Sequence, residues 1–182
     1  MIKVYGDIML DRWIVGEANR MSPEAPVPVL LEDHQEWSIG GAGNLALNIQ
    51  SLGTEVTLIS VVGHDKEGYK LLELLQDTGV ECAVGGDLET TTTKTRLVAK
   101  GGQHIVRWDR EIEYTGDQSI DRLSSHVKKD DIICISDYAK GTVRRDTVAN
   151  LLEKEVKILV DPKQDANFYY GAYLVKPNMQ EY

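Results

Sequence analysis

A repeated alternation of helical and strand-like patterning constrains this chain more than any other feature. Leu45, Ile49 and Leu52 recur at i, i+4 and i+7, and Gly53 stands where a helix C′ glycine belongs. Val56–Val62 follows as a near-continuous apolar run, the pattern of a parallel strand buried on both faces. Asp65 then reads as an N-cap, Leu71, Leu72, Leu74 and Leu75 as the apolar side of a second helix, and Gly79 as its end. Further on, Ile120, Leu123 and Val127 mark a helix, Ile132–Ile135 a strand, Val143–Glu155 a helix and Val156–Val160 a strand. Ile2–Tyr5 opens the series, and Tyr173–Val175 is its last strand candidate before Pro177. Such alternation implies right-handed crossovers and a parallel sheet flanked by helices, an α/β fold.

Two segments break the rhythm. Val27–Leu31 is a strand candidate beside Pro23, Pro26 and Pro28, which suits an edge or a lead-in because proline cannot donate to a ladder. Thr91–Ala99 and His104–Asp109 flank Gly101-Gly102 and read as a hairpin. The hairpin strands mix polar and apolar residues, so they are expected outside the main sheet, and with the proline-flanked strand they predict a small β-sheet lid on the α/β core. There is no long linker, low-complexity stretch or internal repeat.

The formal net charge of −9 argues against a nucleic-acid-binding surface, which needs clustered Lys and Arg. Cys82 and Cys134 form no Cys-x-x-Cys and give no disulfide framework, as expected of a reducing compartment. No apolar run reaches the length of a membrane span, and the N-terminus lacks the apolar stretch of a signal peptide, so a cytoplasmic location is expected.

In parallel sheets, ligands sit at the carboxyl ends of strands. Asp7 follows the first strand and Asp11 lies near it; such carboxylates either accept hydrogen bonds from sugar hydroxyls or form an Asx turn and a solvated surface. The turn Gly40-Gly41-Ala42-Gly43-Asn44 precedes a helix, so its backbone N–H groups either approach a ligand or serve close helix packing. Gly41-x-Gly43-x-x-Ala46 also satisfies a loose dinucleotide fingerprint, but Leu31–Trp37 before it is too polar for the buried first strand of a Rossmann unit. Lys94 and Arg96 share one face of a strand, as a phosphate clamp or as a solvated face. Ser136-Asp137-Tyr138-Ala139-Lys140-Gly141 and Asp161-Pro162-Lys163 each place a carboxylate and a lysine after a strand. No P-loop and no Gly-x-Ser-x-Gly elbow occurs, and His34, His64, His104 and His126 lack ligand spacing for zinc. Trp13, Trp37 and Trp108 read as packing or interface residues.

Taken in order, these segments resemble the ribokinase-like (PfkB) carbohydrate kinases. Gly40–Asn44 with Gly53 and Gly63 matches that family's N-terminal glycine signature. Gly6–Asp11, Ser22–Val29, Thr91–Arg96, Ser136–Gly141 and Asp161–Lys163 resemble the kinase domain of the heptose-7-phosphate kinases and bifunctional ADP-heptose synthases. The resemblance implies a Rossmann-like core spanning 1–182, with lid strands at about 12–38 and 91–109 that often form a dimer contact. It implies ATP- and magnesium-dependent phosphorylation of the anomeric hydroxyl of a heptose 7-phosphate, on the way to ADP-heptose and lipopolysaccharide precursors. It assigns Asp7, Asp11, Gly41, Asn44, Lys94, Arg96, Asp137 and Lys140 to the sugar side. Lys163 falls to the phosphate region, and Asn178 and Glu181 to the Asn-x-x-Glu element associated with magnesium.

One departure accompanies this. Complete members carry a Gly-Ala-Gly-Asp motif whose Asp is the general base. Here Gly41-Ala42-Gly43 is followed by Asn44, and no Gly-Ala-Gly-Asp occurs. The C-terminal part of the fold, the base and most of the ATP site are therefore expected to be missing, with the chain inactive alone or dependent on a complementing half. Two other readings stand beside a sugar kinase: a non-catalytic sugar-phosphate-binding or dimerising module, and a nicotinamide-dinucleotide-binding domain.

Overall fold

The computed structural model describes residues 1–116, 123 and 125–179, with the backbone alone at 86–88. Among them the chain runs β1 (Ile2–Gly6), β2 (Ile8–Met21), β3 (Pro28–Gly41), α1 (Ala42–Ser51), β4 (Val56–Gly63), α2 (Lys66–Gln76) and β5 (Glu81–Leu88). It continues through β6 (Thr93–Ala99), β7 (His104–Arg110), β8 (Ile132–Ser136), α3 (Arg145–Glu153), β9 (Lys157–Asp161), a 3-10 turn (Ala166–Tyr169) and β10 (Leu174–Val175).

Six strands form one sheet in the order β10-β9-β8-β1-β4-β5, and every pair in it is parallel. The apolar runs are explained by burial on both faces. Val4, Leu58 and Val62 point into a core closed by Ala46 of α1 and by Leu71 and Leu75 of α2. Their neighbours Tyr5 and Ile59 point the other way, into a core with Ile133, Ile135, Leu151 of α3 and Leu123. The order reverses at β1, with β4 on one side and β8 on the other. This is the crevice where open α/β sheets bind ligands.

The second sheet has the order β3-β2-β6-β7. β2 pairs antiparallel with β3 and parallel with β6, and β6 closes the hairpin with β7. The rhythm-breaking segments thus do leave the main sheet, but their extents differ from expectation. β2 begins at Ile8 and β3 runs on to Gly41, so the second sheet reaches the glycine turn itself. Val27–Leu31 is only the entrance to β3, and Val27 lies before it.

Other boundaries move too. α3 starts at Arg145 rather than Val143, and α2 stops at Gln76, with Gly79 in the turn beyond it. β5 is an unexpected edge strand. The helix expected around Ile120, Leu123 and Val127 lies largely outside the described residues; Leu123 and Val127 themselves are buried. Asp65 caps α2 as expected, accepting from the Gly68 N–H at 2.8 Å.

Candidate functional site

Strand register builds the site. β2 alternates, so Met9, Asp11 and Trp13 share one face. Ser38 of β3 lies opposite Asp11, Lys94 of β6 pairs with Asp11 on the other side, and Asp109 of β7 follows. The next row is Glu36, Trp13, Arg96 and Arg107. One face of the small sheet therefore carries Asp11 and two cations side by side. Arg96 Nη1 donates to Asp11 Oδ1 at 2.6 Å, and its guanidinium lies 4.9 Å from the centre of the Trp13 ring. The arginine is thus fixed by an ion pair and by stacking on an aromatic face. Asp109 is held below the usual carboxylate range, first by its hydrogen bond from Arg107, with Lys94 and Arg96 adding to it.

The opposite wall comes from the main sheet. Gly41 adopts φ +60, a left-handed conformation open to glycine, and turns the chain from β3 into α1. The Ala42 N–H donates to the Asp7 carbonyl at 2.9 Å, which pins the helix start to the end of β1. Tyr138, after β8, places its ring 5.4 Å from Lys94 Nζ. Between these walls lies a cleft of about 300 Å³ lined by Asp11, Ser38, Gly41, Asn44, Lys94, Arg96 and Tyr138, among others. A second hollow of about 400 Å³ shares Gly41, Asn44 and Tyr138 and extends along β8 and β9 to Asp161 and Lys176.

Five of the residues assigned to the sugar side, Asp11, Gly41, Asn44, Lys94 and Arg96, are brought together in this cleft. Three are not among the residues lining it. Asp7 is 1% exposed, and its carboxylate is occupied by the backbone. Oδ2 accepts from the N–H groups of Tyr138 (2.8 Å) and Lys140 (3.1 Å), and Oδ1 from that of Thr142 (3.1 Å). Asp137 is buried, accepting from the Ala139 N–H and from the Tyr169 hydroxyl at 2.6 Å. Burial pushes its carboxyl above the ordinary range, against the effect of the Tyr169 hydrogen bond. Lys140 Nζ is paired with Glu111 at 2.6 Å.

Of the residues assigned to nucleotide and metal, the two that are described, Lys163 and Asn178, do not line this cleft. Lys163 follows β9, and its backbone N–H donates to the Tyr169 hydroxyl at 3.2 Å. Asn178 is exposed beyond β10, and Glu181 lies outside the described residues. Among the described residues no group of three or more His, Cys, Asp or Glu side chains is placed to hold a metal ion.

Sequence reasoning passed over Ser38, Met9 and Tyr138 as lining residues. Ser38 is identified only by its register with Asp11, which requires β2 to be recognised as a strand. Tyr138 lay inside a motif noted for its Asp and Lys. The glycine turn joins β3 of the small sheet to α1, so it is not the turn between a buried parallel strand and its helix that dinucleotide binding requires.

Residues 1–181 match the family model of the pfkB family carbohydrate kinases. A "D-beta-D-heptose 7-phosphate kinase" from Bordetella bronchiseptica is 40% identical over 99% of this chain and 59% of its own length. A "Bifunctional protein HldE" from Nitratiruptor sp. is likewise 40% identical over 99% of the chain, but over 40% of its own length. The chain therefore spans only part of these relatives. Among solved structures, phosphofructokinase-2 from Escherichia coli in complex with potassium superposes on the whole chain with a TM-score of 0.75 at 20% identity, over 60% of its own length. Arabidopsis thaliana ribokinase, complexed with ribose and ATP, gives 0.69 at 15% identity over 99% of the chain and 60% of its own. The fold is ribokinase-like, and the chain belongs to the pfkB family of carbohydrate kinases.

Proposed function

We propose that this chain forms the sugar side of an ATP-dependent heptose-7-phosphate kinase. The observation that carries the reading is the cross-strand arrangement of Asp11, Lys94 and Arg96 facing Gly41 and Asn44 across the cleft. Asp11 offers acceptors to sugar hydroxyls, Asn44 both a donor and an acceptor, and Lys94 and Arg96 positive charge for a phosphate. The 40% identity to a heptose 7-phosphate kinase supports the choice of sugar. The small sheet acts as a lid over that sugar. Exposed Leu31, Val106 and Trp108 on its edge strands fit a contact with a second copy.

In this family ATP supplies the transferred phosphoryl group and magnesium screens its charge. Lys163, Asn178 and Glu181 are our candidates for the edge of that site. The 182 residues contain no Gly-Ala-Gly-Asp, and we assign no transfer step to residues on this chain. Phosphoryl transfer depends on positioning and charge stabilisation, so binding without turnover is the behaviour expected of the chain alone. Calorimetry with heptose 7-phosphate should show one site per chain, and a coupled assay for ADP release should show no sustained turnover. Absence of binding would overturn the sugar reading; robust turnover would overturn the division between binding and chemistry.

A further inference from the structure

Asp7 is placed as though it belonged to the ligand site, at the carboxyl end of β1, yet its carboxylate serves the protein itself. Its two oxygens accept three backbone N–H groups at alternate positions of one turn, Tyr138, Lys140 and Thr142. The buried Tyr5 hydroxyl, two residues earlier on β1, donates to the Thr142 carbonyl and fastens the far end of the same turn. The backbone of Asp7 faces both neighbours as well: its N–H donates to Ser136 O at 3.1 Å, and its carbonyl accepts from Ala42 N at 2.9 Å. One residue thus joins the start of α1, which carries Gly41 and Asn44, to the turn that carries Tyr138. All three of those residues line the cleft.

We propose that Asp7 is a positioning residue, which sets the height of Tyr138 against Lys94 through the Tyr138–Thr142 turn and contacts no ligand itself. This rests on the sugar-phosphate reading of the cleft. Three donors converge on one carboxylate at 1% exposure, so no lone pair directed at the cleft is needed to satisfy it. A neutral amide in its place keeps one acceptor oxygen and sets an NH2 donor against the backbone N–H of at least one of the three. The turn must then shift, and the Tyr138 ring that faces Lys94 shifts with it.

Two measurements test this. In native-state amide exchange, Asp7→Asn should accelerate exchange at Tyr138, Lys140 and Thr142 and leave the β4 amides at parental rates. In calorimetry with heptose 7-phosphate, Asp7→Asn should bind about tenfold more weakly, the size of one cleft contact misplaced through the shifted turn. Added to Tyr138→Ala, the same change should weaken binding little further, because its route to the ligand is already gone. Leu151→Ala, which destabilises the α3 core away from the cleft, should retain parental affinity. Should Asp7→Asn fail to fold, Asp7→Glu, which keeps the charge but displaces the turn by a methylene, is predicted to weaken binding likewise. Parental exchange rates in the turn, or a full additional loss in the Tyr138→Ala background, would overturn the proposal. No binding by the parent chain would instead overturn the sugar-phosphate reading and the functional half of this one, while exchange would still decide whether Asp7 holds the turn.

Discussion

Single carboxylates do unequal work in this chain. Asp11 faces the cleft and is paired with Arg96, whereas Asp65 is spent on the protein's own structure. Asp65 caps α2 and also accepts from the Thr91 hydroxyl at 2.6 Å and the Thr91 N–H at 3.0 Å, with Arg110 alongside at 3.2 Å. Burial alone would raise its pKa; the hydrogen bonds from Thr91 and Gly68 and the Arg110 charge outweigh that and hold it below its ordinary 3.8. Its contribution is therefore present above that value and lost as pH falls through the folded-state pKa. Asp65→Ala should cost about 2 kcal/mol in urea unfolding at neutral pH, as a lost cap with further unpaired donors. The gap between variant and parent should narrow on acidification; a gap that widens below the ordinary pKa would contradict this assignment.

At the scale of elements, the start of α1 is set by close packing. A Cβ at Gly43 would come within 2.3 Å of Ile39 Cγ2 and 3.0 Å of Ile8 Cδ1, so glycine lets the helix rest directly on β2 and β3. Gly43→Ala should cost about 1–3 kcal/mol by overpacking and weaken ligand binding by displacing Asn44. Unchanged thermal stability would show that the helix start has slack. The elements also show what was legible in the sequence. β4 and β8 were readable because burial on both faces leaves an apolar run. Asp65 and Gly53 were readable as helix punctuation. β2 was not, because Asp11, Arg12 and Glu17 interrupt its apolar start and irregularities at Val15/Gly16 and Glu17/Arg20 break its period. β5 was not, because Gly85-Gly86 reads as a turn. Lys94 and Arg96 could be placed on one face from period two alone. Their encounter with Asp11 and Ser38 depended on a parallel pairing of β2 with β6 across about eighty residues, which no local pattern encodes.

In the whole molecule, two sheets meet where the glycine turn leaves one and enters the helix layer of the other. That junction makes the cleft, and it brings together residues from β2, β3, α1, β6 and the turn after β8. No helix among the described residues is long and apolar enough to cross a membrane. The chain spans 59% of the length of the heptose 7-phosphate kinase relative and 40% of that of the bifunctional one. Under the proposed reading, sugar binding is the property this cleft should display. The most direct measurement is calorimetric titration of heptose 7-phosphate into the parent chain, Asp11→Ala and Arg96→Ala, each checked for an intact thermal transition. Binding by the parent with a loss of about tenfold or more in each variant is predicted, since each removes a charge-assisted contact. Parental affinity in both variants would contradict the assignment of this cleft.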